Sequence, residues 1–244
     1  MDLIAVIFFF FSWILHFWVV YHSPWADITI SHQMTGYRMK WMMNAVHRNP
    51  KMVDALIQNT LQHGVLFFAS TSILLVGALM AGLGASDQAI ALLGDMPFAI
   101  NTSRAAWEIK VLLILVIFTF AFFKFAWAYR LFNYVQVLVG AAPDETAQTA
   151  IATLAGETIT AEQNARMLEY RNNYAVSLGR LHALGARHFT TGLNSYFYAL
   201  AAVAWFLDPR LFIAATLWVS VVLYRRAFRS NFKKILSDIE RPLS

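Results

Sequence analysis

Residues 3–21 read LIAVIFFFFSWILHFWVVY, nineteen positions with no Asp, Glu, Lys or Arg among them. At about 1.5 Å of rise per residue, a helix of that length covers a hydrocarbon layer of about 30 Å. The run begins almost at Met1, with Asp2 as its flanking charge, and ends in Tyr21-His22-Ser23-Pro24. A secretory signal peptide needs a basic leader and a small-residue cleavage site. This pattern has neither, so the run is expected to stay in the mature protein as a membrane helix.

Further apolar runs follow at 64–83, 111–132, 188–207 and 210–224. Asp208-Pro209 separates the last two: Asp caps a helix start and Pro suits the first helical position, so the fifth run should leave as a new helix antiparallel to the fourth. The expectation is an all-α, polytopic membrane protein: a bundle of about five transmembrane helices forming one domain over residues 1–244. Composition agrees. With 59% hydrophobic and 14% charged residues and a mean hydropathy of +0.52, the chain carries more apolar surface than a soluble fold of 244 residues can bury. Cysteine is absent, which removes disulfides, thiolate catalysis and Cys-based metal sites.

The net charge of +5 would suit a nucleic acid, but the basic residues sort by membrane side. Arg38, Lys40, Arg48 and Lys51 follow the first run; Arg130, Arg166, Arg171, Arg180 and Arg187 follow the third; Arg225, Arg226, Arg229, Lys233, Lys234 and Arg241 follow the fifth. Those fifteen stand against Arg104, Lys110 and Arg210 on the other side, with Lys124 inside the third run. Cytoplasmic loops retain Lys and Arg. The N-terminus is therefore expected outside and the C-terminus in the cytoplasm, with the lipid bilayer as partner and no nucleic acid.

Three cytoplasmic segments carry helical patterning. Met34, Tyr37, Trp41, Met42 and Ala45 recur at helical spacing beside Arg38 and Lys40, which describes an amphipathic helix at the interface. Asn49-Pro50 then starts a helix that should run unbroken into the second span. In the insert at 141–187, Pro143-Asp144-Glu145 and the capping box Thr160-Ala161-Glu162-Gln163 each mark a helix start, together suggesting a helical hairpin. In the tail at 225–241, Phe228, Phe232, Ile235, Leu236 and Ile239 form an apolar stripe beside Arg225, Arg226, Arg229, Lys233 and Lys234, a pattern suited to anionic lipid headgroups.

Polar groups inside a membrane bundle are costly, so each is informative. Asp54, Gln58 and Gln62 are spaced by four, as are Asn59 and His63, and both sets fall near the inner end of the second span. Either they form a solvated juxtamembrane turn or they line a polar pocket. His16, His22, His63 and His188 lie at one depth on three helices and could hold a metal or haem or relay protons, although more often such imidazoles are interfacial or hydrogen-bonded core groups. Lys124 is expected to snorkel toward the inner interface near Arg130. Arg187, Thr191, Asn194, Ser195 and Tyr198 at the start of the fourth run, and Thr216, Ser220 and Tyr224 on the fifth, are interhelical glue or the lining of a path. Gly77, Ala78, Ala81 and Gly82 would allow close packing of the second span. Asn101-Thr102-Ser103 matches a glycosylation sequon and also caps the helix leading to Trp107. No phosphate-binding loop, nucleophile elbow, zinc-protease or dinucleotide motif occurs, which points away from an enzyme.

The strings Ala45-Val46-His47-Arg48-Asn49-Pro50, Gln58-Asn59-Thr60 and His188-Phe189-Thr190-Thr191-Gly192-Leu193, the last leading to Ala204-Trp205-Phe206, resemble a family of integral membrane proteins of bacteria and plants known only as a domain of unknown function. The resemblance implies a location in the bacterial inner membrane and brings no assigned activity.

Three functional readings stay open. In the first, the bundle binds or passes a small solute, ion or lipid through a cytoplasm-facing polar pocket built on Arg48, Asn59, Gln62, His63 and Asn194, with oligomerisation as a requirement for transport. The second is a haem- or metal-binding redox protein using His16, His63 and His188. In the third, a scaffold or accessory subunit docks a partner through the insert. Which cofactor, if any, is bound is left unknown.

Overall fold

The computed structural model describes residues 1–94, 103–143, 154–155, 159–228 and 235. Among the described residues the chain is helical with no strand. α1 spans Asp2–His22, a short 3-10 turn covers Ala26–Ile28, α2 spans Ile30–His47, α3 Met52–Gly84 and α4 Ser86–Gly94. α5 spans Arg104–Gly140 and α6 Ala161–Val203. A second 3-10 turn over Ala204–Phe206 precedes α7, which spans Pro209–Phe228.

Local chemistry sets the boundaries. Thr29 caps α2 by accepting from the His32 backbone N–H at 3.3 Å. Ser103 does the same for α5 through Ala106, also at 3.3 Å. At the start of α6 the capping box forms in both directions: Gln163 N donates to Thr160 Oγ1, and Thr160 N donates to Gln163 Oε1 at 2.8 Å. Asp208 accepts from Arg210 N at 2.6 Å, so α7 starts at Pro209.

α1, α3, α5 and α7 are each long and apolar enough to cross a membrane, judged by length and composition. A helical bundle with such members is a membrane protein. The stretch at 188–203 is not among them, and it carries His188, Thr190, Thr191, Asn194 and Ser195. It is also among the most enclosed parts of the fold, with Thr191, Ser195, Tyr198, Ala199, Ala201 and Ala202 all buried. A helix walled by protein has no need of a lipid-like surface.

α6 is the axis of the bundle. It packs along α5, which packs along α3, while α2 lies against its first half and α1 and α7 pair beside its second half. Three apolar clusters succeed one another along it. Phe9, Ile117, Tyr198, Trp205 and Phe212 fill one end; Val65, Ala121, Phe125 and Ala128 fill the middle; Met42, Val46, Val135 and Leu178 fill the other end. Glycines of α6 permit this. A Cβ on Gly192 would lie 2.5 Å from the Phe125 ring, and one on Gly185 would lie 2.8 Å from the Phe132 ring. The close packing is thus on α6, not on α3: nothing lies within 4 Å of a Cβ built at Gly77 or Gly82.

α3, α5 and α6 have 33, 37 and 43 residues, or roughly 50, 55 and 65 Å of length against about 30 Å of hydrocarbon. All three must therefore extend past the bilayer. Residues 161–187 of the insert are the first half of α6 and continue without a break into 188–203; residues 144–153 and 156–158, the insert's other arm, lie outside the described residues. The helix expected at the interface is α2, and its Met42, Ala45 and Val46 are buried.

Candidate functional site

Two polar features sit at the end of the bundle where α2 meets α6. The first is a buried knot between α2, α3, α5 and α6. The Asp54 carboxylate accepts through Oδ1 from Trp41 Nε1 at 2.8 Å and from Arg48 at 2.7 Å. One turn on, Gln58 Nε2 donates to the Phe132 carbonyl at 3.3 Å; a further turn on, Gln62 Nε2 donates to Gln136 Oε1 at 3.0 Å. His182 closes the knot, its ring centroid 5.1 Å from that of Trp41 and 4.9 Å from that of Phe132. Asp54 Oδ2, Gln58 Oε1 and both ring nitrogens of His182 are buried with no hydrogen-bond partner in the protein. Buried polar atoms left over in this way are where ordered water or ligand atoms are found. Burial, and next the nearby Arg38 charge, push the His182 pKa down to about 3, so the imidazole is neutral at physiological pH.

The second feature is a pair of adjoining cavities between α1, α2, α6 and α7, sharing Val20, Thr29 and Ser31 as a common wall. The larger, about 280 Å³, is lined by Tyr21, His32, Thr35, Arg180 and Arg187 among others. The smaller, about 180 Å³, takes His16, Arg38, Thr190, Asn194 and Arg226. Asn194 Nδ2 and His16 Nε2 face each other at 3.4 Å. The Arg187 guanidinium stacks 4.3 Å above the Tyr21 ring. Burial pulls the Arg38 pKa below its usual range. Among the described residues none of Arg38, Arg180, Arg187 and Arg226 is ion-paired with a carboxylate.

The residues singled out from the sequence are divided by this geometry. Gln62 is buried beside Gln136, and Arg48 pairs with Asp54, so both belong to the knot. Asn194 belongs to the smaller cavity. Asn59 and His63 lie exposed on an adjacent face of α3 and join neither feature. The three histidines proposed as metal or haem ligands are not brought together: His16 meets Asn194, His188 packs 6.4 Å from the Trp127 ring centroid, and His63 is exposed. Among the described residues no group of three or more His, Cys, Asp or Glu is placed to hold a metal ion. Lys124 sets its ammonium 5.0 Å over the Phe120 ring, one turn back along α5 from the side of Arg130. In the tail, Arg225 and Arg226 are exposed; Arg229, Lys233 and Lys234, like Asn101 and Thr102 of the sequon, lie outside the described residues.

Trp41, Gln136 and His182 escaped the sequence reading as site residues, as did Arg38 and Arg180, which read as topology charges; Arg226 was expected at lipid headgroups, not in a cavity. Gln136 alone carried a local signal, an amide within the apolar run 135–139 of α5.

No curated protein and no solved structure is matched by the chain. A family model described as "Protein of unknown function, DUF599" matches residues 4–232, nearly the whole length, and the chain therefore belongs to that family.

Proposed function

We propose that this protein binds a small solute, ion or lipid in the paired cavities, from the cytoplasmic side of a bacterial inner membrane. The observation that carries the reading is the convergence of Arg, His, Asn and Thr side chains from α2, α6, α7 and α1 on two adjoining cavities at the end of the bundle. In this reading 188–207 is a fifth span beside α1, α3, α5 and α7, with the N-terminus outside and the C-terminus in the cytoplasm. The sorting of fifteen basic residues to one side supports that orientation, as do α3, α5 and α6 overrunning the bilayer toward the end that holds the cavities.

The chain has no cysteine, so a single introduced one reports without background. Thr190→Cys, in the smaller cavity, should react with a membrane-impermeant maleimide in inverted vesicles and not in right-side-out cells; Leu207→Cys should do the reverse. Native mass spectrometry of protein extracted in mild detergent should show a retained small molecule that Asn194→Leu loses. Labelling of Thr190→Cys from outside, or no retained mass in either protein, would sink the reading.

A further inference from the structure

The chemistry around the cavities narrows the occupant. Arginines are expected at a cytoplasmic interface for topology alone, but topological arginines stand in water or beside headgroups. Arg38 does not: it is half-buried, and burial depresses its pKa. A guanidinium taken out of water is costly unless an anion meets it. Ordinarily a carboxylate serves, as Asp54 serves Arg48. Around the cavities none does among the described residues. Asp27, an acidic residue of the same segment, is exposed and stands 3.5 Å from His32 rather than beside an arginine.

The remaining lining fits the same sign. Ser31 offers a hydroxyl and Asn194 an amide, while the Thr29 and Thr35 hydroxyls donate to the Ala26 and Ser31 carbonyls. The first turn of α2 runs along the shared wall, with Ser31 lining both cavities and His32 the larger one. That places the positive end of a helix of 18 residues beside the arginines. Guanidinium forks, the Ser31 hydroxyl and a helix N-terminus form the donor set that matches the tetrahedral oxygens of phosphate.

We propose that the paired cavities hold a phosphate group, with Arg38 and Arg226 reaching it from the smaller cavity and Arg180 and Arg187 from the larger. This rests on the cavities being the binding site, as proposed above. The phosphate can belong to a lipid headgroup entering from the inner leaflet or to a free anion from the cytoplasm, and the two sources share the chemistry.

The test uses the full chain in phosphatidylcholine nanodiscs, with the thermal unfolding midpoint as readout. One arm titrates inorganic phosphate against chloride at matched ionic strength. The other replaces part of the phosphatidylcholine by phosphatidic acid or, as control, by uncharged diacylglycerol. A rise in midpoint with inorganic phosphate identifies a free anion; a rise confined to phosphatidic acid identifies a lipid. In either arm Arg38→Gln with Arg226→Gln should weaken the response about tenfold, the loss expected for a charge-assisted contact. Arg226 is exposed, so Arg226→Gln alone serves as the variant that cannot fail through misfolding, and it should show a partial loss. A response unchanged in these variants would reduce the effect to bulk surface charge and overturn the proposal. No response in either arm, with Thr190→Cys still labelled from the cytoplasm, would overturn the phosphate assignment and leave the cavity standing. No response together with no labelling would remove both.

Discussion

Gly179 of α6 and Met39 of α2 meet backbone to backbone, since a Cβ built on Gly179 would fall 2.7 Å from the Met39 Cα. A flexible side chain could swing aside, but a backbone atom cannot do so without moving its helix. Gly179→Ala should therefore destabilise the protein by about 1–3 kcal/mol, the usual cost of overpacking, despite the intrinsic helical advantage of Ala. Gly36→Ala is the matched control, because nothing lies within 4 Å of its Cβ. It should stabilise by about 0.5–1 kcal/mol. Unfolding midpoints in one detergent decide the matter, and equal signs for the two variants would refute the packing argument.

Asp54 is 3% exposed and holds Trp41 and Arg48 through one oxygen. Asp54→Ala leaves the indole N–H without an acceptor, which costs about 1–3 kcal/mol. Arg48 is partly exposed and can turn to water, so the loss should stay near that range. Asp54→Asn keeps an acceptor oxygen and should lose less. Chemical denaturation of both variants tests the order.

His182 gives the protein a pH dependence. Its pKa is about 3 in the fold against an ordinary 6.5. Below pH 6.5 the unfolded chain therefore binds a proton that the folded protein refuses. Stability is full above that pH and falls as the pH drops toward 3, by at most about 1.4 kcal/mol per pH unit. His182→Phe removes this slope. Wild type and variant should run parallel above neutrality and diverge in acid, the wild type falling faster; parallel curves throughout would show that His182 protonates in place.

Ser220 joins three helices. Its Oγ lies 2.6 Å from Ser12 Oγ of α1 and 3.1 Å from the Tyr198 hydroxyl of α6. Interhelical hydrogen bonds of this kind contribute about 0.6 kcal/mol each. A double-mutant cycle on Ser12→Ala and Ser220→Ala should return a coupling of about that size, and additivity would mean that the hydroxyls are served equally well by other groups.

What was legible in the sequence was what local chemistry decides. The Thr160-Gln163 box and Asp208-Pro209 start helices because the capping atoms are within four residues of each other. The spacing of Asp54, Gln58 and Gln62 by four placed them on one face, and all three are buried. Asn59 and His63 sit one position further on, a turn of about 100° around the helix, enough to bring them to the exposed side. Arg38 and Arg180 were seen and read only as topology signals, and the meeting of all four cavity arginines was not seen, because their convergence depends on how α2, α6 and α7 pack rather than on spacing within any one helix. His182 was visible too, but nothing in its neighbours along the chain announced Trp41 and Phe132 as its walls.

α6 is unbroken from Ala161 to Val203, and this gives the molecule the mechanics of a shaft. An α-helix has little torsional give, so a twist applied at Arg180 arrives nearly undiminished at Asn194 and Tyr198, four to five turns away. Whatever turns the first half of this rod, together with the α2 packed on it, also turns the wall of the smaller cavity and the serine latch of α1 and α7. The first half of α6 is in that sense a handle on the second.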